Sequence, residues 1–250
     1  MTPQTHFFET PDGQRLAWHE LGEGRPVVLL HGLFSNADIN WLRYGHAAAL
    51  AAAGMRAIML DHRAHGQSAK PHEPAAYPKD VLTTDALAFV KHLGLGDYDL
   101  VGYSLGARTA VRMIARGARP RRLALAGMGL EGLVGTTGRA DHFRDILTNL
   151  GKHERGSPKW MAEAFLKTTK GDPKALLLLL DTWEHVTEAD LARVTIPTLV
   201  IAGAEDLDNG SAPTLAERLP HARYVEVPGG HMSSVTKPEL GQAIAAFLAA

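Results

Sequence analysis

The sequence predicts an α/β protein in which a mainly parallel central sheet is covered by helices on both faces. Short, nearly continuous apolar runs are typical of strands buried on both sides. These runs are Val27–Leu30, Ala57–Leu60, Asp99–Val101, Leu123–Ala126 and Thr198–Ala202. Helical patterns lie between them, roughly over Trp41 to Ala53, Lys79 to His92 and Leu105 to Arg116. Strand and helix in alternation indicate a sheet wound on both sides.

The two ends of the chain add further strands to this core. Near the N-terminus, Phe7–Glu9 and Leu16–Glu20 flank the turn sequence Pro11-Asp12-Gly13-Gln14, which predicts an antiparallel hairpin. Near the C-terminus, Ser211 to Leu219 has a helical pattern, and Tyr224–Val227 has the pattern of a last strand.

The alternation breaks between residues 131 and 193, where no convincing strand pattern occurs. Helical pieces there are separated by Gly135–Gly138, Gly156–Pro158 and Gly171–Pro173. We therefore predict a core of residues 1–130 and 194–250 with a helical cap inserted over residues 131–193. Within this cap, Ala175–Leu180 is apolar on every face, so it is either a buried cap helix, a wall of an apolar substrate pocket, or both.

Composition excludes several classes of function. The 250 residues are 45% hydrophobic, enough for one full core, and the net charge of −1 favours neither nucleic acid nor an anionic membrane as a partner. With no cysteine, the chain has no disulfide, thiolate metal site or cysteine nucleophile. Residues 1–6 do not begin a signal peptide, and no apolar run reaches the roughly 18 residues of a membrane span, so we expect a cytoplasmic protein. The oligomeric state stays open.

The most informative stretch is Gly102-Tyr103-Ser104-Leu105-Gly106, a Gly-x-Ser-x-Gly pattern between a predicted strand and a predicted helix. In such a sharp turn a side chain at either glycine would collide with a neighbouring element. The turn exposes the serine hydroxyl at a helix N-terminus, where free N–H groups and the helix dipole favour a developing oxyanion. The alternative is an ordinary turn with a helix-capping serine.

A serine nucleophile needs a base, and a carboxylate to orient that base. Of the 13 histidines, His231 is the candidate base because it follows the predicted last strand and the flexible pair Gly229-Gly230. The carboxyl ends of parallel strands meet at one edge of the sheet, so this loop shares an edge with Ser104. The alternative is a solvated loop histidine.

The carboxylate is expected after the strand Thr198–Ala202. Asp206 is our candidate; Asp208 and Glu205 lie in the same loop, and Glu131 follows the strand before the cap. An aspartate in this loop could instead cap the helix predicted from Ser211.

The chain order Ser104, Asp206, His231 resembles that of the α/β-hydrolase family, and the resemblance covers essentially the whole chain. It implies the α/β-hydrolase fold, with the cap as its variable part. It also implies that His31-Gly32-Leu33-Phe34 is the oxyanion loop, in which the N–H groups of Leu33 and Leu105 form the oxyanion hole. His31 is then structural.

Residues 61–68, Asp-His-Arg-Ala-His-Gly-Gln-Ser, resemble the family's Asp-x-Arg-Gly-x-Gly-x-Ser stretch, with Ala64 in place of the first glycine. We interpret this stretch as scaffold. Aromatic residues that could line an acyl pocket or pack in the core are Trp41, Tyr44, Trp160, Phe165 and Trp183.

The resemblance also narrows the chemistry. Family members with aspartate as nucleophile are dehalogenases and epoxide hydrolases, whereas Ser104 implies acyl chemistry. We expect a serine hydrolase that cleaves an ester, thioester or lactone of a small, apolar substrate without metal or organic cofactor. Alternatives with the same triad are haloperoxidase-like perhydrolysis and hydrolysis of a carbon–carbon bond. A third is a ligand receptor with negligible turnover.

Overall fold

The structure is a computed structural model that describes residues 3–135 and 137–250, without the side chain of Thr137. Met1 and Thr2, which belong to the segment inspected for a signal peptide, lie outside the described residues. So does Thr136, within the predicted separator Gly135–Gly138. None of the described helices is long and apolar enough to cross a membrane.

The described strands form one sheet in the order β1-β2-β4-β3-β5-β6-β7-β8. The β1–β2 and β2–β4 pairs are antiparallel, and every other neighbouring pair is parallel. The bounds are β1 Gln4–Glu9, β2 Arg15–Leu21, β3 Arg25–Leu30, β4 Met55–Leu60, β5 Asp99–Tyr103, β6 Leu123–Ala126, β7 Thr198–Gly203 and β8 Ala222–Val227. This topology confirms the predicted fold class and the N-terminal hairpin.

Helices follow most of the parallel strands. Their bounds are α1 His46–Ala52, α2 Val81–His92, α3 Leu105–Ala115, α4 Leu130–Val134, α5 Thr137–Thr148, α6 Pro158–Thr168, α7 Pro173–Leu180, α8 Glu188–Leu191, α9 Ala212–Arg218 and α10 Pro238–Ala249. A π-helical turn covers Asp38–Leu42, and short 3₁₀ turns cover Pro74–Ala76 and Ser234–Thr236.

The single helix expected from Trp41 to Ala53 is wrong. The chain instead forms the π-helical turn Asp38–Leu42 and then α1, because Gly45 between them has a φ of 81°, outside the right-handed helical region. The helix expected from Lys79 begins at Val81 for the same kind of reason, since Asp80 has a φ of 56°.

Both faces of the sheet are buried, as the apolar runs predicted. Along β3, Val28 and Leu30 pack into the cluster beneath α2 and α3, whereas Val27 and Leu29 pack into the cluster beneath α1 and α10. All four side chains are fully buried. Successive residues of a strand point to opposite faces, so a strand covered on both sides must be apolar at every position.

The described chain between β6 and β7 contains helices α4 to α8 and no strand. A third apolar cluster joins α5, α6 and α7 to the loop after β3 and to the start of α3. Leu176 and Leu179 of α7 are fully buried, and Leu177 and Leu178 are half-buried against the same cluster. The apolar segment Ala175–Leu180 is thus covered on most of its surface. The division into core and cap at residues 131 and 193 stays a prediction.

Asp61 joins the two loops that border the sheet's carboxyl edge. Its carboxylate accepts hydrogen bonds from the N–H groups of Ala37 and Gln67, both at 2.8 Å, and lies 3.3 Å from Nε2 of His19. Burial opposes the charge, but these hydrogen bonds and the interaction with His31 prevail and lower the pKa of Asp61 to about 2. The buried carboxylate therefore holds the loop after β3 against the loop after β4.

Asp61→Asn is expected to lower the free energy of unfolding by about 1–3 kcal/mol. The N–H groups of Ala37 and Gln67 bind different oxygens of the carboxylate, and an amide has only one oxygen to accept them. The pKa of Asp61 in the folded state lies below its ordinary value. The stabilisation that its carboxylate gives the folded protein is therefore complete above about pH 4 and is lost as the pH falls through about 2. Denaturant unfolding at neutral and acidic pH measures both effects. Asp97→Asn, which changes an exposed aspartate, is the control. A difference from wild type that does not shrink at acidic pH would contradict this account.

Candidate active site

Ser104 occupies a strained turn between β5 and α3. Its φ of 53° and ψ of −111° lie outside the regions that non-glycine residues favour. A Cβ on Gly102 would lie 2.3 Å from the carbonyl oxygen of Gly106, and one on Gly106 would lie 2.1 Å from that of Leu30. Only glycine therefore fits at these two positions. The turn brings the start of α3 directly against the end of β3.

The structure brings together the three side chains predicted from the sequence. Nε2 of His231 lies 3.1 Å from Oγ of Ser104, and Nδ1 of His231 lies 2.9 Å from Oδ2 of Asp206. Ser104 is 9% exposed and Asp206 is 8% exposed, so the hydrogen-bonded chain is largely shielded from water. The three residues follow β5, β7 and β8 at the carboxyl edge of the sheet. This arrangement can transfer a proton from the serine hydroxyl to the imidazole.

The loop that carries His231 is fixed by groups that the sequence analysis did not single out. The hydroxyl of Tyr103 donates to the carbonyl oxygen of His231 and lies 3.1 Å from Oγ of Ser234. Nδ2 of the buried Asn209 donates to the carbonyl oxygen of Gly127 at 2.8 Å and lies 3.4 Å from Nδ1 of His231. The one signal for Asn209 in the sequence is its place in the loop that holds Asp206.

The alternative carboxylates take other positions. Oε2 of Glu131 accepts the backbone N–H of Ser211 at 2.8 Å, so this group braces the start of α9. Glu205 and Asp208 are exposed. Among the described residues, Asp206, Asp208 and His231 are close enough to share a metal ion, with candidate ligand atoms within 4.8 Å of one another. Such an ion would have to displace the hydrogen bond between Asp206 and His231.

The predicted oxyanion loop lies against the nucleophile. A Cβ on Gly32 would stand 3.5 Å from Cβ of Ser104. The N–H of Gly32 donates to Oδ1 of Asn40 at 3.0 Å, and that of Phe34 donates to Nε2 of His65 at 3.2 Å. Within the described chain, the N–H of Leu33 and that of Leu105 have no acceptor. These two donors are therefore free to bind an oxyanion, and the assignment stays a proposal.

Buried neutral histidines hold this loop in place. Nδ1 of His31 lies 2.8 Å from the carbonyl oxygen of Gly32, and its Nε2 accepts the N–H of His62 at 3.0 Å. Burial lowers the pKa of His31 and lowers that of His65 to about 3, so both rings are neutral at ordinary pH. A neutral ring can donate from one nitrogen and accept at the other, as His31 does here. Its predicted structural role is confirmed.

The aromatic candidates for pocket lining separate into two groups. Trp41 is fully buried in the cluster beneath α1, whereas Tyr44 and Trp160 are exposed. Trp183 and Phe165 are half-buried against the third apolar cluster, which also contains Leu33, Phe34 and Leu105. The side chains through which α5, α6 and α7 pack on the loop after β3 and the start of α3 are thus mainly apolar.

Comparison with known proteins identifies the family and several relatives of this chain. The family described as the alpha/beta hydrolase fold matches residues 25–129. The dihydrolipoyllysine-residue acetyltransferase component of the acetoin cleaving system from Pseudomonas putida is 31% identical over 94% of this chain and 67% of that protein. A non-heme chloroperoxidase from Kitasatospora aureofaciens is 29% identical over 79% of this chain and 80% of that protein.

Among solved structures, an esterase from Exiguobacterium antarcticum superimposes with a TM-score of 0.78 at 21% identity, covering 98% of this chain and 99% of that one. At this identity the likeness concerns the fold. The 31% identical relative and the matched family establish that this chain belongs to the α/β-hydrolase family of enzymes.

Proposed function

We propose that the protein is a serine hydrolase that cleaves a small ester, thioester or lactone through an acyl-enzyme on Ser104. The observation that carries this proposal is the continuous hydrogen-bonded chain from Ser104 through His231 to Asp206 at a strained strand-to-helix turn. A serine that merely capped a helix would accept a backbone N–H of that helix, and Ser104 makes no such side-chain bond.

In the first step, Oγ of Ser104 attacks the carbonyl carbon of the substrate while Nε2 of His231 takes the hydroxyl proton. Negative charge develops on the carbonyl oxygen, where the free N–H groups of Leu33 and Leu105 stabilise it together with the positive end of α3. Asp206 keeps the proton on Nδ1 of His231, so that Nε2 can accept, and stabilises the imidazolium that forms.

In the second step, the tetrahedral intermediate collapses and the bond between the carbonyl carbon and the leaving oxygen or sulfur breaks. His231 returns its proton to that leaving group, and the acyl group remains on Ser104. A water molecule then attacks the acyl-enzyme as His231 takes its proton. The carboxylic acid leaves, and the proton on His231 restores the hydroxyl of Ser104.

A second candidate reaction is perhydrolysis, in which peroxide replaces water as the attacking group. The relative from Kitasatospora aureofaciens, named a non-heme chloroperoxidase, favours it. The two reactions share the acyl-enzyme and differ only in the second nucleophile. Peroxide-dependent bromination in the presence of acetate, compared with ester hydrolysis by the same preparation, separates them.

Ser104→Ala is expected to abolish labelling by a fluorophosphonate and turnover of p-nitrophenyl acetate and butyrate, because no other described serine has the histidine partner at Nε2 that Ser104 has. Intact mass before and after labelling gives the measurement. Ser211→Ala, which removes the side-chain cap of α9, is the control and should label like wild type. A wild-type protein without an adduct would refute an activated serine and favour the receptor alternative.

Asp206→Asn is expected to lower kcat by about 10⁴-fold with little change in stability, because an amide can hold the imidazole in the tautomer that cannot accept the serine proton. Asp208→Asn is the matched control: it removes an exposed carboxylate two residues away and should keep kcat near the wild-type value. Steady-state ester hydrolysis measures both. If Asp208→Asn proved the more damaging variant, Asp206 would not be the orienting carboxylate.

A further inference from the structure

Arg108 is a buried cation without a counter-ion. It lies one helical turn after Ser104 on α3 and is 6% exposed. Its Nη2 donates to the neutral carbonyl oxygen of Gly132 at 2.5 Å, whereas its buried Nη1 has no acceptor. Within residues 3–135 and 137–250, no carboxylate forms an ion pair with it. A buried charge in this condition is strongly unfavourable unless a partner of opposite charge binds there.

Two acids, Asp80 and Glu184, line the same cavity as Arg108, but each pairs with another cation, Asp80 with Arg112 and Glu184 with Lys79. The groups beside the guanidinium itself are donors and positive charge. The guanidinium carbon lies 5.2 Å from the ring centroid of Trp183, whose Nε1–H is likewise buried without an acceptor. Burial and the nearby charge of Arg139 lower the pKa of Arg108 to about 10, which leaves it charged at neutral pH. Unpaired donors beside a positive charge are what an anion requires.

Arg112, one turn further along α3, shows that this helix can pair its arginines. Its Nη2 lies 2.8 Å from Oδ2 of Asp80, and its Nη1 lies 3.1 Å from Oδ2 of Asp190. On α3, the arginine nearest the nucleophile therefore lacks a carboxylate partner, whereas the next arginine along the helix has two.

The unpaired arginine is within reach of the candidate active site. Leu105, Arg108 and Trp183 are among the residues that line one cavity between α2, α3 and the chain after α7. Leu105 directly follows the nucleophile and carries one of the free N–H groups. The backbone N–H of Arg108 donates to the carbonyl oxygen of Ser104 at 3.2 Å, so the side chain of Arg108 begins one helical turn from the nucleophile.

We propose that Arg108 and the indole N–H of Trp183 form a subsite for a carboxylate at the far end of the acyl part of the substrate. This rests on the proposed function, because the acyl part is defined by its attachment to Ser104. The substrate is then an ester, thioester or lactone of a short dicarboxylic acid, whose apolar methylene chain packs against the third apolar cluster. The sequence analysis expected a small, apolar substrate; this subsite would add one carboxylate at the far end of that substrate's acyl chain.

A carboxylate fits these donors because its two oxygens can accept from a guanidinium and an indole at once. Inorganic phosphate shares this chemistry, so the test must separate a substrate carboxylate from a free anion. The subsite holds a group remote from the reacting bond, and such binding is expected to lower KM more than it raises kcat.

The kinetic test compares mono-p-nitrophenyl adipate with p-nitrophenyl hexanoate, which has the same chain length without the charge. Wild type should prefer the adipate ester in kcat/KM by about tenfold to a hundredfold, mainly through KM. Arg108→Gln should lose this preference and keep its turnover of the hexanoate ester. Arg108→Lys retains the charge and should restore part of the preference. Trp183→Phe, which keeps a ring but loses the N–H, should weaken it.

Arg116→Gln is the matched control, because Arg116 caps the other end of α3, is exposed and pairs with Asp80. It should keep the wild-type preference. A third ester, p-carboxyphenyl hexanoate, carries its carboxylate on the leaving group. If the effect of Arg108→Gln were confined to that ester, the assignment to the acyl part would be overturned.

A binding test separates failure of this subsite from failure of the proposed function. Adipate should raise the melting temperature of the Ser104→Ala protein, and the shift should vanish when Arg108→Gln is added. If no ester is turned over but this shift is found, the proposed function fails and the anion site stands. The subsite is overturned if Arg108→Gln changes only stability, with neither ester preference nor adipate binding affected. Equal shifts from phosphate and adipate without ester preference would also overturn it, in favour of a site for a free anion.

Discussion

The backbone of Ser104, at a φ of 53° and a ψ of −111°, is the constraint on which the rest of the site depends. A serine pays roughly 1–3 kcal/mol of strain in such a conformation, and the surrounding structure must hold it there. The N–H of Ser104 donates to the carbonyl oxygen of Ala126 on β6, and its own carbonyl oxygen accepts the N–H groups of Ala107 and Arg108. The turn is thus anchored to a strand on one side and to α3 on the other. The contact of Gly106 with the end of β3 brings the predicted oxyanion loop within reach.

The loops around the nucleophile are held by polar groups that burial keeps in a single protonation state. Asp61 remains charged because backbone N–H groups bind its carboxylate, whereas His31 and His65 remain neutral because their rings are removed from water. Neither kind of group titrates at ordinary pH, so this scaffold would keep its geometry during the proton transfer that we propose between Ser104 and His231. Fixed donors of this kind need little reorganisation when charge develops on the substrate.

Helices α5 to α7 pack on the loop after β3 and the start of α3 through apolar side chains, yet the adjoining cavity contains Arg108, which forms no ion pair with any described residue. Phe34 of the predicted oxyanion loop lies 5.5 Å from Phe143 of α5, and Phe143 lies 6.2 Å from Trp183, measured between ring centroids. This aromatic row leads from the oxyanion loop to Arg108. An apolar wall that ends in a guanidinium suits a molecule with an apolar chain and one anionic end, and the low polarity of the wall strengthens the attraction between the charges.

The sequence by itself determined the class of the fold and the edge of the sheet at which Ser104, His231 and the candidate carboxylates meet. Uninterrupted apolar runs require strands covered on both faces, and parallel strands must deliver the loops with Ser104, Asp206 and His231 to one edge. Local pattern could not foresee the break at Gly45 or the late start of α2, because both depend on single backbone angles rather than on periodicity. Only the tertiary structure could choose Asp206 over the neighbouring acids, identify Asn209 beside His231, and show that Arg108 lacks a counter-ion. These three findings depend on distances between side chains that are far apart in sequence. The periodicity and spacing of residues carry no information about such distances.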